Sequence, residues 1–207
     1  MKRTEPLVTC LNMAVLALMM SLMLPSGLAA QSAEETKLIA RAEQAVSDLI
    51  TMQADFIQIS SDGSVGEGKV YFRRPFQLRL DYTNPETLSI VTSRVWVYID
   101  DKIARTVEAY PVSETPFAPL LEDAVSFRSN EVKTSARTQG GIASVQMDKQ
   151  TGEGAGRLTL EFDTATWQLR RWVITDALGV TTTVTLQNPV YGAALNNRLF
   201  GVPSYDQ

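Results

Sequence analysis

Alternating apolar and polar residues run through most of the chain after residue 50 and predict a fold built mainly of β-strands. The stretch GKVYFRRPFQLRLDY, residues 68–82, has apolar side chains at nearly every even position and mostly polar ones between them. This period of two is typical of a strand with one buried face. Arg74, which precedes Pro75, falls in the even, apolar set. The pattern therefore predicts an arginine on the apolar side of the sheet, unless a bulge at Pro75 turns it toward solvent.

The same alternation recurs in segments that are separated by short turns. The clearest is GRLTLEFD, residues 156–163, whereas the glycine-rich SDGSVGEG, residues 61–68, is predicted to be a turn. Consecutive strands joined by short turns predict an antiparallel meander, and a strongly curved meander rolls toward a barrel. The remaining predicted strands are MQADFIQIS, TLSIV, RVWVYID, IARTVEAY, ASVQMD, WQLRRWVITD and VTTTVTLQN.

An amphipathic helix is predicted before the first strand. Ser32 and Glu35 have the spacing of a capping box, and apolar residues follow at helical intervals as far as Ile50. Because the polar face of this helix is acidic as much as basic, packing against the sheet is favoured over binding to a membrane surface.

A second helical segment interrupts the strands. Residues 111–127, PVSETPFAPLLEDAVSF, contain three prolines and several apolar residues after them. They predict an extended approach and a short helix that starts between Pro116 and Pro119 and lies over the sheet as a flap. The predicted fold class is therefore mainly β with α: a single curved antiparallel sheet with one long helix and one short helix.

The first thirty residues have the layout of a cleavable secretory signal peptide. Lys2 and Arg3 precede the apolar run LNMAVLALMMSLML, and small residues follow in PSGLAAQ. A membrane anchor is disfavoured because that run is shorter than the roughly 20 apolar residues that span a bilayer. Cleavage after Ala29 or Ala30 is expected, which leaves residues 31–207 as one exported domain.

Composition removes several classes of function. The formal net charge is −4, no long basic run occurs, and nucleic acid is not an expected partner. The chain has no histidine, and its one cysteine, Cys10, lies in the predicted signal peptide. Histidine-based triads, disulfides and the common transition-metal sites are thereby excluded from the mature protein. No metal or cofactor is expected, and a hydrolase finds no support because no Ser-x-x-Lys or Gly-x-Ser-x-Gly string occurs.

The apolar positions of the predicted strands are candidates for the lining of a ligand cavity. A rolled sheet that is covered by only two helices can enclose more volume than its side chains fill, and small barrels of this kind hold ligands. An ordinary packed core explains the same residues, and the sequence leaves both interpretations open. The candidate lining residues are Phe56, Phe72, Phe76, Leu78, Leu80, Tyr82, Ile90, Trp96, Tyr98, Leu158, Leu160, Phe162 and Trp172.

An ordered set of motifs resembles one known family over essentially the whole mature chain. The motifs are DFIQ, a glycine-rich turn, YFRRPFQLRLDYTNP, LSIV, VWVY, TPFAPLL and ITDALGVTTTVTLQN. They are similar to those of the periplasmic outer-membrane lipoprotein carrier family, LolA. The resemblance implies an unclosed β-barrel whose concave face is covered by helices. It also implies a periplasmic protein that carries lipoprotein acyl chains and catalyses no reaction.

The resemblance implies roles for particular residues as well. In the family, the arginine before the proline of the long motif holds a helical lid closed through the lid's backbone, and Arg74 is the matching residue. The lid matches residues 116–127, and the residues assigned to its helix are Pro116, Phe117, Leu120 and Leu121. One departure is Thr92-Ser93-Arg94, which stands where the family commonly has an Asp-Gly turn.

The expected partners follow from the same resemblance. They are outer-membrane lipoproteins, an inner-membrane ABC exporter that supplies them and an outer-membrane receptor that accepts them, and the carrier is expected to be a monomer. Two alternatives remain open: a carrier of another lipid or hydrophobic molecule, and a periplasmic sensor that binds lipid. Such sensors usually have an added C-terminal domain, and the sensor is less expected because this chain ends with NNRLFGVPSYDQ.

Overall fold

The computed structural model describes residues 26–202, Ser204 and Tyr205, with side chains from Ala33 onward. The chain divides into two units between Glu34 and Glu35, and the sheet and its coverings lie in the second unit, Glu35–Gln207. Residues 1–25, which make up most of the predicted signal peptide, lie outside the described residues. Signal cleavage and a domain boundary at residue 31 remain predictions.

Eleven strands form one antiparallel sheet that, within the described chain, is not closed into a barrel. The strands are β1 (Thr51–Ser60), β2 (Val65–Arg73), β3 (Gln77–Asn84), β4 (Leu88–Thr92), β5 (Trp96–Asp101), β6 (Thr106–Pro111), β7 (Val132–Gln139), β8 (Ile142–Lys149), β9 (Gly156–Asp163), β10 (Leu169–Thr175) and β11 (Thr181–Tyr191). Their spatial order is β6-β5-β4-β3-β2-β1-β11-β10-β9-β8-β7, so β6 and β7 are the two edges. The helices are α1 (Ser26–Asp48) and α2 (Ala118–Leu121). The predicted fold class is confirmed.

The turns between strands lie alternately at two ends of the sheet. One end, called the proximal end, carries the turn at residues 74–76 between β2 and β3. The other, called the distal end, carries the turns at residues 61–64, 102–105 and 176–180. Neighbouring strands are antiparallel throughout, so N-terminal and C-terminal ends of strands alternate along the proximal end and along the distal end.

One face of the sheet, called the inner face, carries the hydrophobic core. Residues directly opposite each other on neighbouring antiparallel strands share a face. Phe56 of β1 pairs with Leu186 of β11, and Val70 of β2 pairs with Leu80 of β3. Helix α1 contributes Ile39, Ala42 and Val46 to the same buried cluster, and Leu49, which directly follows the helix, is its neighbour there. Each large apolar side chain buried here stabilises the fold by about 1.5–3 kcal/mol.

Residues 68–82 do not form one strand. They belong to β2 and β3, which are joined by a three-residue turn across which Arg73 pairs with Gln77. Because this turn has an odd number of residues, even-numbered positions of both strands face the same side, and the alternation passes through the turn unbroken. The interpretation of the stretch as one continuous strand is therefore wrong. Arg74 lies at the tip of a hairpin, where its peptide bond with Pro75 is cis.

Two glycines explain why β2 begins earlier than the sequence predicts. The sequence predicts a turn over residues 61–68, but Gly66 and Gly68 lie within β2 on the inner face. A Cβ on Gly68 would lie 2.0 Å from the carbonyl oxygen of Asp81, and one on Gly66 would lie 2.8 Å from the ring of Tyr82. Gly68 therefore allows β3 to lie close to β2, and Gly66 leaves room for the Tyr82 ring.

The sequence pattern does not predict β7, because its sequence VKTSARTQ is mostly polar. An edge strand presents unpaired backbone groups that must find partners. The backbone N–H of Ala136 in β7 donates to Oε1 of Glu35 in α1 at 3.0 Å. The capping box predicted from Ser32 and Glu35 is wrong, since α1 already begins at Ser26 and Glu35 binds the edge of the sheet instead.

Candidate functional site

Beside α1, the connection between β6 and β7 covers the inner face. Residues 112–131 run from the end of β6 to the start of β7, and the lid segment, defined as residues 116–127, contains α2. Because β6 and β7 are the edges of the sheet, this connection joins the two sides of the opening. Helix α2 is shorter than expected: Pro116 and Phe117 precede it, with Phe117 at its N-cap.

Three side chains of the lid segment fill the interior. Leu120, Leu121 and Phe127 are 2%, 1% and 2% exposed. They belong to the same buried cluster as Phe72 of β2 and Leu158 of β9. The lid segment therefore packs against the inner face in this structure, and we call this position closed.

The guanidinium group of Arg74 binds the end of α2. Its Nη2 donates to the carbonyl oxygens of Glu122 at 2.6 Å and Asp123 at 2.9 Å. Its Nη1 donates to the carbonyl oxygen of Leu120 at 3.4 Å. The last carbonyls of a helix have no partner within the helix, and a cation near them is favourable. Arg74 thus points at the lid rather than into open solvent.

Further contacts fix the hairpin tip that carries Arg74. The backbone N–H of Phe76 donates to the carbonyl oxygen of Leu121 at 2.9 Å. The buried hydroxyl of Thr92 donates to the carbonyl oxygen of Phe76 at 2.7 Å. The guanidinium carbon of Arg94 lies 5.0 Å from the centre of the Phe76 ring, within cation–π distance. The departure from the family motif at residues 92–94 therefore supports the turn that binds the lid.

The contacts of Arg74 with the lid do not rest on an ion pair. Burial lowers the pKa of Arg74, and the nearby charge of Asp123 opposes this effect. Burial also raises the pKa of the Glu122 carboxyl, but it is the carbonyl of Glu122 that accepts the hydrogen bond. Because carbonyl oxygens do not titrate and a guanidinium stays protonated, we expect these hydrogen bonds to persist over the neutral pH range.

Helix α1 and β7 hold the other end of the lid segment. The carboxylate of Glu43 accepts the backbone N–H of Phe127 and a guanidinium N–H of Arg128, each at 2.9 Å. The hydroxyl of Thr134 donates to the carbonyl oxygen of Phe127. Hydrogen bonds thus hold the lid segment at two places, in its middle at residues 120–123 and at its last residue, Phe127. Sequence reasoning missed Glu43 and Thr92, since a glutamate on a helix face and a threonine in a strand give no distinctive signal.

A cavity of about 340 Å³ lies beside the lid, toward the distal end of β7, β8 and β9. Apolar residues from both sides line it, namely Pro116, Pro119, Val132, Met147 and Leu158. Charged residues also border it, namely Glu122, Arg128, Glu131 and Lys149. Such a mixture suits an amphiphile whose apolar part enters the protein while its polar part stays in water.

Nine of the thirteen predicted lining residues are buried in the core cluster. They are Phe56, Phe72, Leu78, Leu80, Tyr82, Leu158, Leu160, Phe162 and Trp172. Ile90 is half-buried and packs against this cluster, and Phe76 is half-buried at the hairpin tip. In the closed state, burial alone does not separate a ligand-lining residue from an ordinary core residue. Their role in lining a site therefore stays a prediction.

Two predicted lining residues, Trp96 and Tyr98, are on the other side of the sheet, called the outer face. Tyr98 pairs with Val91, which in turn pairs with Arg79, whereas the inner-face residue Leu80 pairs with Ile90. Trp96, two residues before Tyr98, shares its face and is 41% exposed. The prediction for these two residues is wrong because it followed aromatic character, while the register of β5 turns them outward.

Tyr82 offers a direct check of the packed inner face. Burial raises the pKa of the Tyr82 hydroxyl to about 12, although its hydrogen bond to Gln58 acts in the opposite direction. A phenol with a raised pKa in the folded state contributes stability that is complete below its unfolded pKa of about 10 and is lost as pH rises toward 12. Burial raises the pKa of Tyr191 to about 12 as well, so we expect an absorbance titration to show two late-ionising tyrosines, of which one disappears in Tyr82→Phe. A titration unchanged by that substitution would contradict the packing described here.

The candidate site consists of apolar side chains, backbone carbonyls, guanidinium groups, the hydroxyls of Thr92 and Thr134 and the carboxylate of Glu43. Within the part of the chain that the structure describes, no group of three or more histidine, cysteine, aspartate or glutamate side chains is placed to hold a metal ion. None of the described helices is both long enough and apolar enough to cross a bilayer.

One family model matches most of the chain. The model described as outer membrane lipoprotein carrier protein LolA matches residues 47–203. A curated relative, the uncharacterized protein RP864 of Rickettsia prowazekii (strain Madrid E), is 30% identical over 105 residues. That alignment covers 51% of this chain and 49% of the relative, so the chain spans about half the length of that relative.

Solved structures with little sequence identity share the fold. An uncharacterized conserved protein from Thermus thermophilus has a TM-score of 0.50 and 14% identity, with 84% of this chain and 95% of that chain covered. A domain from Vibrio parahaemolyticus, provisionally described as an outer membrane lipoprotein-sorting protein, has a TM-score of 0.50 and 8% identity, with 81% and 96% covered. At such identities these likenesses show the fold alone. Because the family model spans well over half of the sequence, the chain belongs to the outer membrane lipoprotein carrier protein LolA family.

Proposed function

We propose that the protein binds the acyl chains of lipoproteins beneath its lid and carries them through the periplasm to the outer membrane. The observation that carries the proposal is the filled interior, in which Leu120, Leu121 and Phe127 are almost fully buried on a segment that hydrogen bonds hold in its middle and at its last residue. Membership of the LolA family supports it, because members of that family are periplasmic carriers rather than enzymes.

The energies of lid and cargo are of similar size. Burying an acyl chain is worth about 0.8 kcal/mol per methylene, so ten sheltered methylenes give roughly 8 kcal/mol. Displacing three large apolar lid side chains into water costs about 1.5–3 kcal/mol each. The difference is small because cargo replaces contacts that the closed lid already makes. An intermediate affinity of this kind lets a carrier both take up and give away its cargo.

Arg74 sets the balance between the two states. Its hydrogen bonds to the carbonyls of Leu120, Glu122 and Asp123 exist when the lid is closed. Cargo that displaces the lid must break them, which lowers the affinity for cargo and favours release to an acceptor. In this proposal Arg74 is the latch of the lid, and the inner-face residues of the core cluster line the cargo site.

The partners that complete the proposal are an inner-membrane ABC exporter, an outer-membrane receptor and the lipoproteins themselves. The acyl chains would enter an interior built from apolar side chains, whereas the outer face carries ion pairs such as that of Arg171 with Glu161 at 2.5 Å. Apolar side chains do not distinguish one acyl chain from another, so a carrier of another lipid is the second candidate function.

A lipoprotein binding assay tests the proposal. The purified mature protein is mixed with a detergent-solubilised triacylated lipoprotein, the detergent is removed, and the mixture is separated by gel filtration. We expect a soluble one-to-one complex, and no complex with the same lipoprotein whose lipidated cysteine has been replaced by serine. Binding of free phospholipid without binding of the lipoprotein would favour the second candidate. Binding of neither would contradict both.

A further inference from the structure

Two apolar side chains stand out from the distal end of the sheet. Leu178 is 90% exposed and Ile103 is 79% exposed, the two highest values among the exposed large apolar residues of the described chain. Isolated exposed apolar residues are common and need no explanation by themselves. These two are distinguished by the way in which the backbone holds them and by their common position in the fold.

The same type of turn presents both side chains. Oδ1 of Asp176 accepts the backbone N–H groups of Leu178 and Val180, each at 2.9 Å. Oδ1 of Asp101 accepts the N–H groups of Ile103 and Ala104, also at 2.9 Å. An aspartate that binds the backbone two residues later fixes a turn. Each carboxylate therefore binds its own turn, while the side chain at the tip is apolar.

The neighbouring hairpin also carries exposed apolar side chains. Ile59 and Val65, which pair across β1 and β2, are 56% and 59% exposed. The N–H of Ser61 donates to the carbonyl oxygen of Thr181 at 2.8 Å, and the N–H of Thr181 donates to Oγ of Ser61 at 2.9 Å. These bonds join the turn at residues 61–64 to the one that carries Leu178. The distal rim is defined here as Ile59, Val65, Ile103 and Leu178.

The shape of the distal rim fits an extended surface better than a protein pocket. Four strands, β4, β3, β2 and β1, lie between the hairpin that carries Ile103 and the hairpin that carries Leu178. At about 4.8 Å per strand, the two tips are roughly 25–30 Å apart along the sheet. Protein interfaces concentrate their energy in buried, well-packed pockets, whereas these side chains are separate projections.

The charges around the rim indicate which lipid surface it fits. The distal turns carry residues of both signs, and four exposed ones are Asp62, Glu86, Lys102 and Arg105. A surface that recognises anionic lipids has a cluster of lysines and arginines instead. The rim therefore suits a bilayer of zwitterionic lipid.

The turn that carries Leu178 borders the cavity beside the lid. Gly156 lines that cavity. A Cβ on Gly156 would lie 2.5 Å from the carbonyl oxygen of Thr175 and 3.4 Å from the Cα of Asp176. A membrane touched by Leu178 would thus lie close to the opening between the lid and β9.

We propose that the distal rim is a lipid-contact surface, on which Leu178 and Ile103 insert among the lipids of a zwitterionic bilayer and bring the adjacent cavity to the membrane. Its use in acyl-chain transfer rests on the proposed function, but the contact itself needs no cargo. The contact is weak and reversible because few side chains enter the bilayer, and it is insensitive to salt because they are uncharged.

Site-specific fluorescence tests the contact on the cargo-free mature protein. Its only cysteine, Cys10, lies in the predicted signal peptide, so an introduced cysteine carries the only label. Leu178→Cys and Ile103→Cys are labelled with an environment-sensitive dye and mixed with phosphatidylcholine vesicles. The control is Val190→Cys, at a position that is 51% exposed and lies near the proximal end of β11. We expect a blue shift and a severalfold rise in emission at positions 178 and 103, at low and at high salt, and no change at position 190.

Either of two fluorescence results would overturn the proposal: no response at positions 178 and 103, or an equal response at position 190. A transfer assay adds a second test, in which Leu178→Glu with Ile103→Glu should bind cargo normally but pass it to vesicles several times more slowly than Val190→Glu does. Normal transfer by the double variant would also count against the proposal. If the labels insert but no variant binds cargo, the proposed function fails while the lipid contact stands.

Discussion

Replacing Arg74 with leucine is expected to give a protein that accepts acyl cargo but releases it poorly. The substitution removes three hydrogen bonds from the guanidinium to lid carbonyls. A hydrogen bond to a charged group contributes about 1.5–3 kcal/mol, and partial exposure places these near the lower value. A loss of about 1.4 kcal/mol is tenfold in an equilibrium constant. We therefore expect at least a tenfold slower transfer from loaded carrier to acceptor.

The adjacent arginine provides a matched control for this experiment. Arg73 donates to Oδ1 of Asn197 at 2.7 Å and lies 4.5 Å from the centre of the Phe200 ring, so it binds the C-terminal segment on the outer face. Arg73→Leu should transfer cargo at the wild-type rate, and Arg74→Lys should be intermediate. Wild-type transfer by Arg74→Leu would contradict the latch. An equal defect in both leucine variants would show that the effect is not specific to the lid.

Replacing Gly68 with alanine is expected to destabilise the fold by about 3 kcal/mol, at the upper end of the cost of overpacking. The new methyl group would lie 2.0 Å from the carbonyl oxygen of Asp81, and it cannot be accommodated without moving β3 away from β2. Urea unfolding of the purified variant measures the loss. Gly201→Ala is the control, because Gly201 has φ −66° and its nearest obstacle, the carbonyl oxygen of Arg198, lies at 3.4 Å.

A comparison of Gly66→Ala with Gly68→Ala distinguishes a clash with a side chain from a clash with the backbone. A methyl group there would meet the Tyr82 ring at 2.8 Å rather than the backbone. Gly66→Ala and Tyr82→Leu should therefore be less than additive in the free energy of unfolding, whereas Gly68→Ala and Tyr82→Leu should add. Nearly unchanged stability in Gly68→Ala would mean that β2 and β3 are not as close as the structure has them.

Strand patterns and the lid could be predicted from the sequence because each has a local signal. Alternation with a period of two defined β9 at its observed bounds, and three prolines before an apolar group located the lid segment. The turn at residues 74–76 could not be found in this way, because an odd turn keeps the alternation in phase between two strands. The sequence alone therefore does not predict whether the Arg74 side chain points to the lid or to solvent. Its position at the tip of the hairpin between β2 and β3 determines this.

The other errors have a different cause, which is contact between segments that are distant in sequence. Strand β7 is polar since it lies at an edge and Glu35, distant in sequence, satisfies part of its backbone. Trp96 and Tyr98 were assigned inward on aromatic character, but pairing with β4 turns them outward. Contacts between distant segments, such as that of Glu43 with Phe127, leave no trace in a local pattern. In each case the position of the residue depends on contacts between distant segments, which only the structure shows.

Native mass spectrometry shows whether the protein leaves the periplasm with an acylated lipoprotein bound to it. The mature protein and its Arg74→Leu variant are purified from a Gram-negative periplasm without detergent and sprayed under mild conditions. We expect a triacylated lipoprotein bound one-to-one, at a higher fraction in the variant than in the wild type. Free lipid alone, or no bound species in either protein, would contradict the proposed lipoprotein carrier.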